Sequence, residues 1–134
     1  MCIRDRVELQ NDPAGGYSKE EREVQMKTLM NLYDMTNELG HIYFTLENLH
    51  EQARGLSEEA EQELKGALNS FSTDAKTYKD GLVSLEGDFY VDEGSNIREE
   101  ISTLYLDVSM YPGKPSQSQI DKTNSLRDLS LIHI

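Results

Sequence analysis

Apolar residues recur along the first half of the chain at alternating steps of three and four. Leu32, Met35, Leu39, Ile42, Leu46, Leu49, Ala53 and Leu56 form an unbroken heptad seam on one face of a long helix. At about 1.5 Å per residue, a helix over residues 18–54 spans roughly 50–60 Å. Its start is marked by Ser18 with Glu21 three residues on, a capping box. A second apolar stripe, Met26, Leu29, Met30, Tyr33, Tyr43 and Phe44, lies off the seam, with Gly40 inside it. Glycine costs about 1 kcal/mol relative to alanine in a helix interior, so a kink or a close backbone approach is expected at Gly40. A helix apolar on two faces is expected to be sandwiched, one face against a partner helix and the other against a further helix or domain.

The rest of the chain reads as a cover for that seam. Gly55-Leu56-Ser57 predicts a tight reversal, with Gly55 as a left-handed C-cap. A second helix over residues 57–86 carries Leu64, Leu68, Phe71, Ala75, Tyr78, Leu82, Leu85 and Phe89, again at steps of four and three. Two heptad helices joined by so short a loop pack antiparallel. Residues 86–94 form a loop rich in Gly and Asp. Asn96, with Glu99 three residues on, then caps a helix over residues 96–110, whose seam is Ile97, Ile101, Leu104, Val108 and Tyr111. Pro112-Gly113-Lys114-Pro115 breaks the chain, and Ser116 with Gln119 caps a last helix over residues 116–128 that includes Ile120 and Leu126. The predicted fold class is all-α: a long antiparallel helical hairpin with a third leg of two shorter helices, an up-down bundle.

Both ends read as foreign. One way to encode residues 1–6, Met-Cys-Ile-Arg-Asp-Arg, is ATG TGT ATA AGA GAC AG with one further base. The reverse complement of that string, in frame, encodes Leu-Ser-Leu-Ile-His-Ile, which is residues 129–134. The element looks like a transposon end used in preparing sequencing libraries, so both stretches are set aside from fold reasoning. The protein proper is then residues 7–128, a fragment open on both sides. Residues 7–17, through Asp12-Pro13 and Ala14-Gly15-Gly16, read as the tail of an upstream domain and a linker.

Composition narrows the function. The formal charge is −12, and it becomes −13 once Arg4, Asp5 and Arg6, together +1, are set aside. Such an acidic surface repels nucleic acid and anionic membranes and favours solubility or a basic partner. The one cysteine, Cys2, falls in the foreign N-terminal stretch, so no disulfide or thiolate metal site is expected. No stretch resembles a membrane span, and no membrane insertion is expected.

Candidate chemistry is sparse. Glu38-x-x-His41 and Glu47-x-x-His50 match the spacing used by di-iron bundles, but those proteins draw the two motifs from different helices. Both sit off the seam, where the plainer reading is a solvated charged face. Asp88, Asp92 and Glu93 lack the alternating ligand pattern of a calcium loop. No catalytic residue, metal site or cofactor is expected. The candidate docking surface is Met26, Met30, Tyr33, Tyr43 and Phe44.

One resemblance spans residues 7–128. Asp12-Pro13 leads into Ser18-x-x-Glu21…Gln25 and Leu29…Leu32-Tyr33-Asp34. Later come Arg98-Glu99-x-Ile101-Ser102-x-Leu104-Tyr105 and Tyr111-x-Gly113-x-Pro115-Ser116-x-Ser118-Gln119. This order resembles the C-terminal helical region of bacterial sortilin-like, Asp-box β-propeller proteins, often labelled glycosyl-hydrolase-like. Ala14 departs from the pattern, which has a basic residue after Asp-Pro. The resemblance implies an upstream propeller as intramolecular partner, any ligand site on that propeller, and a secreted or periplasmic setting. It carries no catalytic residue onto this chain. Two readings follow: a non-catalytic accessory packing domain of a propeller protein, or a free-standing coiled-coil protein–protein interaction module.

Overall fold

The computed structural model describes residues 15–83 and 96–132, with side chains through residue 129. It is all-helical over these residues, with no strand among them. Four helices follow in order: α1 (Lys19–Glu59), α2 (Gln62–Leu82), α3 (Ile97–Met110) and α4 (Gln117–Ile132). The expectations that fall on residues 1–14 and 84–95, including Leu85, Phe89, Asp88, Asp92 and Glu93, lie outside the described residues.

Every other helix packs on α1. Its start is fixed by the expected capping box: the Glu21 amide donates to Ser18 Oγ at 3.1 Å, and the Ser18 amide donates to the Glu21 carboxylate at 2.9 Å. The helix then runs 41 residues, five past the expected stop. Gly55 is an ordinary helical residue here, and Ser57 is buried within the helix, donating back to the Arg54 carbonyl at 2.8 Å. The reversal falls instead at Ala60 and Glu61, both extended, with ψ of 153° and 156°. Ala53 and Ser57 are small enough to pack against the returning helix, and Glu58 and Glu59 are good helix formers, so nothing stops α1 at Gly55.

Two bridges set the direction of α2. His50 meets Ser72 and Glu47 meets Lys79, so α2 runs antiparallel beside the distal half of α1. The chain returns at α3, which continues along α1 where α2 leaves off. Arg98, at its start, shares a groove with Thr36 and Gly40, and its end lies beside Gln25. α3 is therefore also antiparallel to α1. α4 folds back on α3 and packs against both α1 and α3. It is capped as expected: Ser116 N donates to Gln119 Oε1 at 2.9 Å, and Gln119 N donates to Ser116 Oγ. It continues to Ile132, past the expected end at residue 128, since Leu-Ser-Leu-Ile contains no helix breaker.

The molecule thus has a three-helix end and a two-helix arm. Leu32, Met35, Ile101, Leu104, Val108 and Leu126 form the buried apolar core of the three-helix end, with Leu29 and Ile97 packed against it. The arm, built from distal α1 and α2, is sealed by smaller and more polar groups: Ala53, Ser57, Ser72, Ala75 and Lys79 are its buried helical residues.

That contrast corrects the predicted seam. In α1 the seam consists of two rows, Leu32-Leu39-Leu46-Ala53 and Met35-Ile42-Leu49-Leu56. In α2 the corresponding rows are Leu68-Ala75-Leu82 and Leu64-Phe71-Tyr78. Along the arm only the first row of each helix faces its partner. The other inward row is Tyr43, His50 and Ser57 on α1 and Lys65, Ser72 and Lys79 on α2. The second rows turn outward, with Leu56 at 62 %, Leu64 at 57 % and Tyr78 at 65 % exposed.

Candidate docking surface and the polar layer of the arm

Met26, Met30, Tyr33 and Phe44 lie on one exposed side of α1, all between 48 % and 67 % exposed. Eighteen residues separate the first from the last, so the stripe extends about 27 Å at 1.5 Å per residue. Tyr43, expected with them, turns the other way. It is half-buried against α2, with Lys79 Nζ 5.6 Å from its ring centroid, and it meets Phe44 edge-on at 5.7 Å and 87°. Gly40 is open: a Cβ placed there meets nothing within 4 Å. No close approach accounts for it. It lines a shallow groove with Thr36, Leu39, Tyr43, Phe44, Val83 and Arg98.

The two Glu-x-x-His motifs part company. Glu38 and His41 are exposed, as expected of a solvated face. Glu47 and His50 are not off the packing surface; both face α2. Nδ1 of His50 lies 2.8 Å from Ser72 Oγ and 2.9 Å from the Ser72 carbonyl, and Ser72 Oγ also donates to the His50 carbonyl at 3.2 Å. Glu47 is bound by the Lys79 ammonium, whose side chain is only 9 % exposed. Each motif member is thereby engaged by a group on α2. Among the described residues, no three His, Cys, Asp or Glu side chains gather as a metal-binding group.

Lys79 is the ionisable group that sequence reasoning missed. Its hydrogen bond to Glu47 raises its pKa above the usual lysine value, against the opposing effect of burial. Asp80 beside it is bridged by Lys76 at 2.5 Å and held below the usual carboxylate value by that bond first, with Lys79 adding to it. Burying a lysine is tolerated only when it is paired. Glu47 provides the pairing from across the interface. The layer holds α2 in register.

A second polar cluster ties the ends of the three-helix unit. Gln25 Nε2 donates to the carbonyls of Val108 at 2.9 Å and Tyr111 at 2.6 Å, filling acceptors that the end of α3 leaves open. Gly113, at φ +146°, lies under the ring of Tyr17. Pro115 is buried and leads into the Ser116–Gln119 cap. Residues of the Ser18…Gln25 and Tyr111…Gln119 blocks therefore meet in one joint, where they cap and clamp.

No family model matches the chain, and no curated protein and no solved structure matches it. No helix among the described residues is long and apolar enough to cross a membrane.

Proposed function

We propose that this chain is a non-catalytic helical packing module of a larger protein, the accessory region that follows a sortilin-like β-propeller. The observation that carries this reading is the stripe Met26, Met30, Tyr33 and Phe44, which points away from the helical core and forms a line long enough to seat against a neighbouring domain. The joint formed by Tyr17, Gln25 and Gly113 supports it. The motif residues that carry the resemblance act on backbone geometry at the end where the chain enters α1.

The test is the coding DNA that flanks residue 7 in the source sample, translated in frame. Repeats of the Ser-x-Asp-x-Gly-x-x-Trp type would support the propeller reading. An unrelated upstream domain would overturn it. A second reading, a free-standing coiled-coil interaction module, is favoured by a different observation, the open outer face of the arm.

A further inference from the structure

The second heptad row of α1 is covered at one end and bare at the other. Thr28 and Met35 are 6 % and 3 % exposed within the three-helix end. Seven residues on, Ile42 is half-buried, and beyond it Leu49 and Leu56 reach 38 % and 62 %. The matching row on α2, Leu64, Phe71 and Tyr78, is 57 %, 48 % and 65 % exposed. On each helix, passing from the inward face to this row is a turn of roughly 80° in the same sense. Because the helices are antiparallel, turns of the same sense bring both rows to one side of the arm. The result is a two-helix face with apolar side chains every seven residues on both helices.

We infer that this face is where two copies of the chain associate, arm against arm, to complete a four-helix bundle. Three observations favour a second copy. The pattern is compatible with self-association: both helices carry the same seven-residue spacing, so the apolar rows of one copy can interdigitate with those of a second across a two-fold axis. The area is sufficient. At about 200 Å² per fully exposed side chain of this size, Leu49, Leu56, Leu64, Phe71 and Tyr78 leave about 500 Å² of apolar surface per copy. A standard interface of about 800 Å² per partner, somewhat over half of it apolar, needs about that much. The middle of the rim carries little charge. Thr45 and Gln52 flank the row on α1, and Ala67, Asp74 and Gly81 flank it on α2, while Glu59, Glu61 and Glu63 gather at the turn end. In a chain of net charge −12, two copies can approach along the middle of this side, with their turn ends apart, without facing rows of carboxylates. The inference does not depend on whether a propeller precedes the helices, since the Met26–Phe44 stripe lies on another side of α1.

Sedimentation equilibrium of the 134-residue chain at about 0.15 M salt, from about 1 to 300 μM, tests it. The expected mass rises from that of one chain to that of two and no further. Phe71→Glu and Leu49→Glu, both at exposed positions, each weaken the dimer by about a hundredfold, since the two-fold contact carries each change twice. Helical circular dichroism stays unchanged. Phe44→Glu, on the other side of α1, leaves the dimer constant within about threefold. A chain that stays monomeric throughout, open-ended growth beyond two copies, or a dimer lost with Phe44→Glu but not with Phe71→Glu would overturn the inference. So would a monomer whose arm face is protected only by an added helical peptide.

Discussion

Replacing Gly113 by alanine strains the joint in two separable ways. Its φ of +146° belongs to a region that residues with a Cβ rarely adopt, which costs about 1–3 kcal/mol. The added Cβ would also sit 2.7 Å from Cε1 and 2.9 Å from Cδ1 of Tyr17, closer than real contacts allow. Tyr17 is 37 % exposed, so its ring can give way at the cost of its packing, for a further ~1 kcal/mol. The expected total is about 2–4 kcal/mol, read as a shift in urea midpoint by far-ultraviolet circular dichroism at constant slope. In a Tyr17→Ala background the steric part disappears and the backbone part remains, so Gly113→Ala should cost about 1 kcal/mol less there. A Gly113→Ala variant within 0.5 kcal/mol of the parent would refute the backbone argument. An equal cost in both backgrounds would refute the contact with Tyr17.

Other outcomes follow from burial and charge. Leu32, fully buried in the core cluster, should lose about 2–5 kcal/mol on replacement by alanine. Leu64→Ala, at an exposed site, should cost under about 1 kcal/mol at monomeric concentrations, and the two are compared by urea melts. Gly40→Ala should stabilise α1 by about 0.5–1 kcal/mol, visible as a raised melting temperature, because the position is helical and open. The arm should weaken at both pH extremes. Asp80 has a lowered folded pKa, so its contribution is present above the ordinary carboxylate range and is lost as pH falls through the folded value. Lys79 has a raised one, so its contribution holds below the ordinary lysine value and is lost as pH rises through the folded value. Asp80→Asn should flatten the acid limb and Lys79→Met the alkaline limb in stability–pH profiles, with the Asp80 effect shrinking in salt because that pair is solvated.

What could be read beforehand depended on which residues carried the signal. Ser18 with Glu21 and Ser116 with Gln119 announced two helix starts, because a cap is a local bond between residues three apart. The helices themselves followed from apolar spacing, and near Leu32, Met35 and Leu39 the seam faces inward as expected. Along the arm the same spacing misled. The inward surface there includes His50, Ser57, Ser72 and Lys79, which no search for apolar positions selects. The outward surface holds Leu56, Phe71 and Tyr78, which such a search takes for core. A trace was present all the same: Tyr43, His50 and Ser57, and Lys65, Ser72 and Lys79, are also seven apart. Placing the turn at Gly55 hid the pairing of Glu47 with Lys79, because that register needs the reversal at Ala60–Glu61. The exposed apolar stripe was legible at Met26, Met30, Tyr33 and Phe44. Tyr43 left it because its ring finds Lys79 across the interface, a partner only the folded hairpin supplies.

One apolar core, at the meeting of α1, α3 and α4, anchors the chain, and the arm is a thinner structure with an exposed apolar face. Native-state amide hydrogen exchange at sub-micromolar concentration, resolved by segment, tests this most directly. The expected result is slow exchange in α3 and the part of α1 around Leu32, Met35 and Leu39. Exchange in α2 and distal α1 should be at least tenfold faster, by a sub-global opening that leaves the core intact. Uniform protection across α2 and α3, lost only together, would contradict it.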